Sequence, residues 1–539
     1  MKTTRFLLAT LLVAAPATAQ QPQPHIYRPG VDVLDYEITL DLPLAGSVIS
    51  GRTVLAVRRS GRVDTLKLDL TALKVDSVLV NQRPVRFGRD SLTISVPLAG
   101  VSGDSFSVAI RYGGPVTDGL IIGTDSLGRW TGFGDNFPDR ARHWIPSVDH
   151  PSDKATVTWI IRAPSDRKVV ANGARLEETP IAGSNPARTL TRWRESVPIT
   201  TYVMVLAAAP LYEHSFGETA CGAGALSRCV QQSVYLEPEL AQKYLPGPFA
   251  RVGEIVAFYA SLVGPYPYEK LAHLQSSTRY GGMENSSAIF YSDRGFRENS
   301  LTESTVAHEI AHQWFGNAVT VNAWPHMWLS EGFATYFDAL WTQHAYGDSV
   351  FKASMAKTRR TITTNAVVAR RPVIDTIETV IDELLNRNSY EKGGFVLHML
   401  RGTVGDSAFF RALRNYQVKY RNGNALSDDL MREVEATSGQ QLGWFFDQWL
   451  RKPGFPEVKG ALVADGDGNA VIEVTQGTRF GYYRFSLDVV ITAGDGSKVR
   501  RTIDIRAQSV TRVPVGMKVA ATGSAKIEFD PQVKLLATF

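Results

Sequence analysis

Five residues, His308-Glu309-Ile310-Ala311-His312, constrain the fold of this 539-residue chain more than any other stretch. On a helix turning 100° per residue, His308 and His312 stand one turn apart and within about 40° of each other, so both imidazoles can reach one metal ion. Glu309 is rotated about 100° from His308, beside such a metal and not on it, where it can take a proton from water. A zinc hydrolase site needs a third protein ligand and one open position for water. Glu331, 19 residues after His312 in WLSEGFA, is the candidate. Asn317 and Pro325 bracket a connection, and an antiparallel second helix packed through Tyr336, Leu340 and Trp341 would bring Glu331 back to the metal.

Two further segments carry groups of the right chemistry. Gly281-Gly282-Met283-Glu284-Asn285 follows a strand-like run, and its glycines let a peptide backbone approach closely while Glu284 offers a carboxylate to a cation. Ser389-Tyr390-Glu391-Lys392-Gly393-Gly394 opens an apolar helix, and a tyrosine hydroxyl there could donate to an oxyanion. Taken alone, the first reads as a Gly-Gly hairpin turn with an exposed Glu, and the second as a buried Tyr at a helix start.

The hydrophobic period changes along the chain. Tyr36, Ile38, Leu40 and Leu42 alternate with polar residues, and similar runs near Thr53–Val57, Thr65–Leu70, Ser105–Tyr112, Ala155–Ala163 and Tyr202–Ala207 predict a β-sheet domain. Helical spacing takes over after residue 240, with helices expected near 303–316, 327–345, 350–364, 377–400 and 406–420. Lys452-Pro453-Gly454 stops the helices, and the alternating runs beyond it, with a hairpin turn at DGDGN (465–469), predict a small β-sandwich.

The N-terminus has the three parts of a secretory signal in order: Lys2 and Arg5, an apolar run from Phe6 to Ala15, and Ala17-Thr18-Ala19. Residues 1–19 are therefore expected to be removed, and the protein to be periplasmic or extracellular. No later stretch approaches 18 uninterrupted apolar residues, so no transmembrane segment is expected. Cys221 and Cys229, the two cysteines, read either as a local disulfide in an oxidising compartment or as two free thiols. A net charge of +5 over this length implies no nucleic-acid partner.

Together GGMEN (281–285), HEIAHQWFGN (308–317), WLSEGFA (328–334) and SYEKGG (389–394) resemble the aminopeptidase N family of zinc metallopeptidases, gluzincins that include the leukotriene epoxide hydrolase. WIPSVDHP (144–151) resembles the segment closing that family's N-terminal domain, and FFDQWLRKPGFP (445–456) the junction leaving its catalytic domain. The resemblance implies a multidomain α+β protein: an N-terminal β-sheet domain over 20–210, a thermolysin-like, mainly α catalytic domain over 211–452 and a C-terminal β-sandwich over 453–539. It implies that His308, His312 and Glu331 hold one zinc ion, Glu309 is the general base and Tyr390 stabilises the tetrahedral intermediate. Glu284 would bind the free α-amino group of a peptide lined by Gly281, Gly282 and Met283.

The chain departs from the family in two places. Members often carry Gln or Glu near the substrate amine, before an A-R pair; here the stretch is GDNFPDRAR (134–142), with Asp135 as the nearest acidic match and Phe137 where a Glu often stands. Asp135 is thus the expected second amine contact. The large helical domain that caps the cleft of longer members has no counterpart, and a more open site is expected. The reading that follows is a zinc aminopeptidase acting on peptides with a free N-terminus. Its rivals are an endopeptidase or epoxide hydrolase on the same zinc site, and a non-catalytic peptide-binding scaffold.

Overall fold

The alternation that starts the chain becomes β1 (Val31–Asp41), in which Tyr36, Ile38 and Leu40 are buried and their neighbours half-exposed. In the computed structural model, which describes residues 27–125, 127–219, 229–492, 496–518 and 526–539, this strand is central to an eight-stranded sheet. The signal segment 1–19 and Cys221 lie outside the described residues; Cys229 is disulfide-bonded. β1 pairs in parallel with β2 (Lys154–Pro164) from Asp35↔Thr156 to Asp41↔Arg162, and β2 pairs antiparallel with β3 (Arg188–Thr200). A four-stranded sheet (Leu120–Thr124, Trp130–Gly134, Lys168–Ala171, Leu206–Ala209) carries Phe133, which packs edge-on against Phe290 of the next domain. The strand expected at Tyr202–Ala207 starts later: Thr201–Val203 is a 3-10 turn, and pairing begins at Leu206.

The second domain opens with a five-stranded mixed sheet that contains β4 (Lys270–Ser276), β5 (Gly282–Met283) and β6 (Ala288–Ser292). β5 is at the edge of this sheet, antiparallel to β6 with Gly282 opposite Tyr291. Helices follow: α1 (Val252–Val263) lies between strands of the sheet, and α2 (Glu303–His312) and α3 (Trp328–Tyr346) form the pair expected from the motif. α2 ends at His312, four residues short of the expected end, because the chain turns at Gly316 (φ 111°).

The helix expected over 377–400 forms only at its far end, as α4 (Gly393–Val404). Upstream, the Asp375 carboxylate accepts the backbone N–H of Ile377 and Glu378, and Glu378 accepts those of Thr379 and Val380. These side chains offer the backbone an alternative to helical bonds. Only a short 3-10 turn (Ile381–Leu384) and a π turn (Asn388–Lys392) precede α4.

The C-terminal module is two three-stranded sheets, and Phe529 of one fills the space above Gly460 of the other. Asp465 closes the DGDGN hairpin turn by accepting the N–H of Asp467 and Asn469. The module is fastened to the catalytic helices by Arg359–Asp530 (2.6 Å) and His398–Val533 (3.2 Å). Among the described residues no helix is long and apolar enough to cross a membrane.

Two contacts fix the N-terminal domain against the connection that follows α2. The half-buried Lys154 donates to the carbonyls of Asn317 (2.8 Å), Ala318 (3.1 Å) and Gly423 (3.3 Å). Tyr202 donates to the Gly316 carbonyl at 3.1 Å.

Candidate active site

α2 begins at Thr302, whose hydroxyl accepts the N–H of Thr305, and ends with His308 and His312 on one face. The turn after it brings the Phe315 carbonyl to 3.2 Å from His312 Nδ1, and Ser330 Oγ of the helix Trp328–Tyr346 stands 2.9 Å from the same nitrogen. A carbonyl can only accept, so Nδ1 carries a proton and Nε2 is the nitrogen turned toward Glu331. Gly316 is required here, since a Cβ would lie 2.2 Å from Ser330 Oγ.

α3 returns antiparallel and places Glu331 in its first turn. Phe315 stacks on Phe333 at 4.1 Å and locks the two helices together. Three atoms then converge: His308 Nε2 and His312 Nε2 are 3.1 Å apart, and Glu331 Oε2 lies 3.4 and 3.3 Å from them. Tetrahedral ligands on zinc, with bonds of about 2.0–2.1 Å, are separated by about 3.3 Å. Glu331 Oε2 is buried and accepts no hydrogen bond. Burial opposes its ionisation, but His312 and His308 hold its carboxyl at about 2. Burial also disfavours an imidazolium, yet Glu284 and Glu331 push His312 to about 10. The field of the pocket thus favours positive charge at this point, and two imidazoles with one carboxylate fit a catalytic zinc ion.

Glu309 points into the same cavity with Oε2 lacking a hydrogen-bond partner. Burial, reinforced by Glu284 and Glu331 against the opposing effect of His312, pushes its carboxyl well above the usual carboxylate range. Gly282 makes room for it, because a Cβ at that position would stand 2.1 Å from Glu309 Oε1.

Glu284 follows the edge strand β5, and its carboxylate, the Glu309 carboxylate and a His312 nitrogen lie within 4.8 Å of one another. Glu284 is 5% exposed and its Oε1 has no hydrogen-bond partner. Its backbone carbonyl is held by Gln313 Nε2 (3.0 Å) and Asn317 Nδ2 (2.6 Å), both from the turn that follows α2.

Tyr390 stands in the π turn ahead of α4, its ring parallel to that of His308 at 6.0 Å. Gly332 and Gly393 allow α3 and α4 to meet backbone to backbone, since a Cβ on Gly332 would lie 2.9 Å from the Gly393 carbonyl carbon. That close approach brings Tyr390 over the carboxylates. Burial and the charges of Glu331, Glu284 and Glu309 hold its hydroxyl protonated, as a donor.

These groups line a cavity of about 210 Å³ whose apolar wall is Phe137, Tyr280, Met283 and Leu385. The expected second amine contact is corrected here. Asp135 is absent from the lining and pairs with Arg140 at 3.3 Å, while its Oδ2 accepts the Arg279 N–H. Phe137 takes the wall position instead, packed edge-on against Tyr202, Tyr280 and Trp324. Ser330, Gln313 and Asn317 were missed as site residues, although they adjoin Glu331 or sit within the HEIAHQWFGN run. Arg279 and Tyr280 reach Asp382 at the rim.

Comparison with known proteins gives two family matches: the peptidase M1 N-terminal domain over residues 33–203 and the peptidase family M1 domain over 250–449. Similar curated proteins include aminopeptidase M1-D of Oryza sativa subsp. japonica, 28% identical over 78% of this chain and 50% of its own length. A leucyl aminopeptidase of Saccharolobus solfataricus is 25% identical over 80% of this chain and 54% of its own. The chain thus spans about half the length of these curated relatives. The M1 zinc metallopeptidase of Deinococcus radiodurans superposes with a TM-score of 0.69 at 25% identity, over 79% of this chain and 95% of that one. Legionella pneumophila aminopeptidase A shares the fold, with a TM-score of 0.81 at 14% identity over 95% of this chain and 59% of its own.

Proposed function

The chain belongs to peptidase family M1 and is a zinc metallopeptidase, and on that premise we propose that it is an aminopeptidase, releasing the first residue of peptides. One observation carries the reading: among the described residues Glu284 is a buried carboxylate with no Lys or Arg partner, set beside Glu309 and His312. A peptide's α-ammonium is the charge it lacks. An internal peptide segment has no such cation and would leave this carboxylate buried and unpaired, at a cost of roughly 2–5 kcal/mol.

The roles of the residues follow from their places. His308, His312 and Glu331 would hold the zinc ion. Bound there, zinc supplies Lewis acidity and lowers the pKa of water toward about 7. Glu309 takes the proton of the attacking water and passes it to the leaving amine. Tyr390 donates its hydroxyl hydrogen to the oxyanion that develops on the scissile carbonyl. The free edge of β5 pairs with the substrate backbone, and Glu284 sets the register by holding its first nitrogen.

The test uses aminoacyl-anilides with free and N-acetylated amines. The acetylated substrate should be slower by roughly 30-fold or more, and Glu284→Ala should narrow the gap. Equal rates on the two substrates would point to an endopeptidase and overturn the proposal.

We also propose export. Lys2, Arg5, the apolar run 6–15 and Ala17-Thr18-Ala19 support it. N-terminal sequencing of protein from the periplasm or medium should begin at Gln20, whereas a chain retained in the cytoplasm and starting at Met1 would contradict it.

A further inference from the structure

The Glu284–Ser287 segment joins β5 to β6 and lies outside their ladder, which pairs only Gly282 and Met283 with Tyr291 and Phe290. Strand pairing therefore does not fix where Glu284 stands. Ser287 adopts a left-handed backbone (φ 59°), a conformation that surrounding contacts must hold for a residue with a Cβ. From the catalytic domain, Gln313 and Asn317 hold the Glu284 carbonyl, and Gln313 Oε1 accepts the Ser287 N–H at 2.9 Å.

The other side of the segment is held by the N-terminal domain. Asn172 Nδ2 donates to the Ser286 carbonyl at 2.6 Å and to the Val203 carbonyl at 2.9 Å, while its Oδ1 accepts the Val205 N–H at 2.7 Å. Asn172 is fully buried, and all three bonds are to backbone. The next residue, Gly173, donates its N–H to Ser287 Oγ at 2.8 Å, and that hydroxyl donates to Glu195 Oε2 at 2.9 Å. Gly173 has φ 79° and a Cβ there would lie 1.9 Å from the Arg194 carbonyl oxygen, so this corner of the N-terminal domain has little freedom to shift.

We propose that Asn172 is a positioning residue for the reaction: by anchoring Ser286 to the N-terminal domain it fixes how far the Glu284 carboxylate stands from Glu309 and the zinc ligands. The N-terminal domain then sets the register in which a peptide's first residue is presented. An amide is needed at 172 because it bridges two carbonyls and one N–H. Aspartate at that position keeps the acceptor but loses both donors, and alanine loses all three bonds. The inference rests on Glu284 as the amine-binding group.

The experiment measures full-length, zinc-loaded Asn172→Asp, Asn172→Ala and Ser287→Ala on an aminoacyl-anilide and on its des-amino analogue. Ser287→Ala is the milder variant, removing one hydroxyl from the same clamp. For the free-amine substrate kcat/KM should fall by roughly tenfold to a hundredfold, the loss expected of a displaced binding group, with most of it in KM. The des-amino analogue should change less than about twofold, and zinc content should stay at one per chain. A purely structural role would lower both substrates together, or lower only zinc content and melting temperature, and either result would overturn the proposal. Glu284→Ala is run beside them. If it keeps the amine preference, the reading of Glu284 fails and the positioning role falls with it. If it loses the preference while the Asn172 and Ser287 variants keep theirs, the positioning role alone is wrong.

Discussion

One buried carboxylate beside the cleft and three that line it differ in whether the chain supplies a guanidinium partner. Asp135, from the N-terminal domain, lies 3.3 Å from Arg140 and accepts a backbone N–H from Arg279. Glu284, Glu309 and Glu331 have no Lys or Arg ion pair among the described residues; each, like Asp135, retains an oxygen without a hydrogen-bond partner, so the guanidinium is the difference. Removing a charge from water is costly unless something compensates it. Where the chain supplies the cation, the carboxylate belongs to the scaffold. Where it does not, the proposed function supplies the compensation from outside, as a metal ion and a substrate ammonium. The comparison also accounts for the absence of Asp135, an acidic residue in a suggestive stretch, from the cavity lining.

The most direct way to break this comparison is to remove a zinc ligand. His312→Ala should abolish metal binding and lower kcat/KM by roughly a thousandfold or more, since the Lewis acid and its water are lost together. Metal analysis of the purified variant and its turnover check both; full zinc occupancy would show that the unpaired cluster is not the metal site. Glu309→Gln comes next. It should keep the metal and lose roughly 10²–10⁴ in kcat, the usual contribution of a general base. Loss of metal in that variant would make Glu309 a ligand and not the base.

The convergence of His308, His312 and Glu331 was legible because their spacing is local. A four-residue offset on α2 and a short return to α3 place His308, His312 and Glu331 almost without reference to the remaining chain. The cleft wall was less legible because it depends on distant partners. Whether Asp135 or Phe137 faces the substrate is decided by Arg140 and Arg279, one of them 144 residues away, and by the aromatic packing of Tyr202 and Trp324. Asn172 gave no signal, since its partner Ser286 is 114 residues away. The helix misplaced over 377–392 shows a different limit. Its hydrophobic spacing was adequate, but Asp375 and Glu378 bond to the backbone that a helix would need.

Tyr390→Phe sharpens the comparison from the other side, because it removes a donor and leaves every carboxylate in place. The three charges around the hydroxyl keep it protonated. Losing it should lower kcat by roughly 10²–10³ with KM little changed, as expected of a donor used only when the oxyanion forms. An equal rise in KM, with kcat intact, would make Tyr390 a substrate-binding group instead.

The smallest effect is expected at Asp135, where the comparison is most exposed to failure. Asp135→Asn keeps the shape of the side chain and removes the charge that Arg140 neutralises. Because Arg140 also pairs with Asp118, it retains a carboxylate partner in the variant. Turnover and zinc content should therefore stay within about threefold of the parent, and the preference for a free amine should be unchanged. The loss should appear in thermal stability, on the order of 1–3 kcal/mol for altering one buried hydrogen-bonded group. A large fall in kcat/KM confined to free-amine substrates would place Asp135 beside Glu284 after all, and would show that a carboxylate paired within the chain can still serve the substrate.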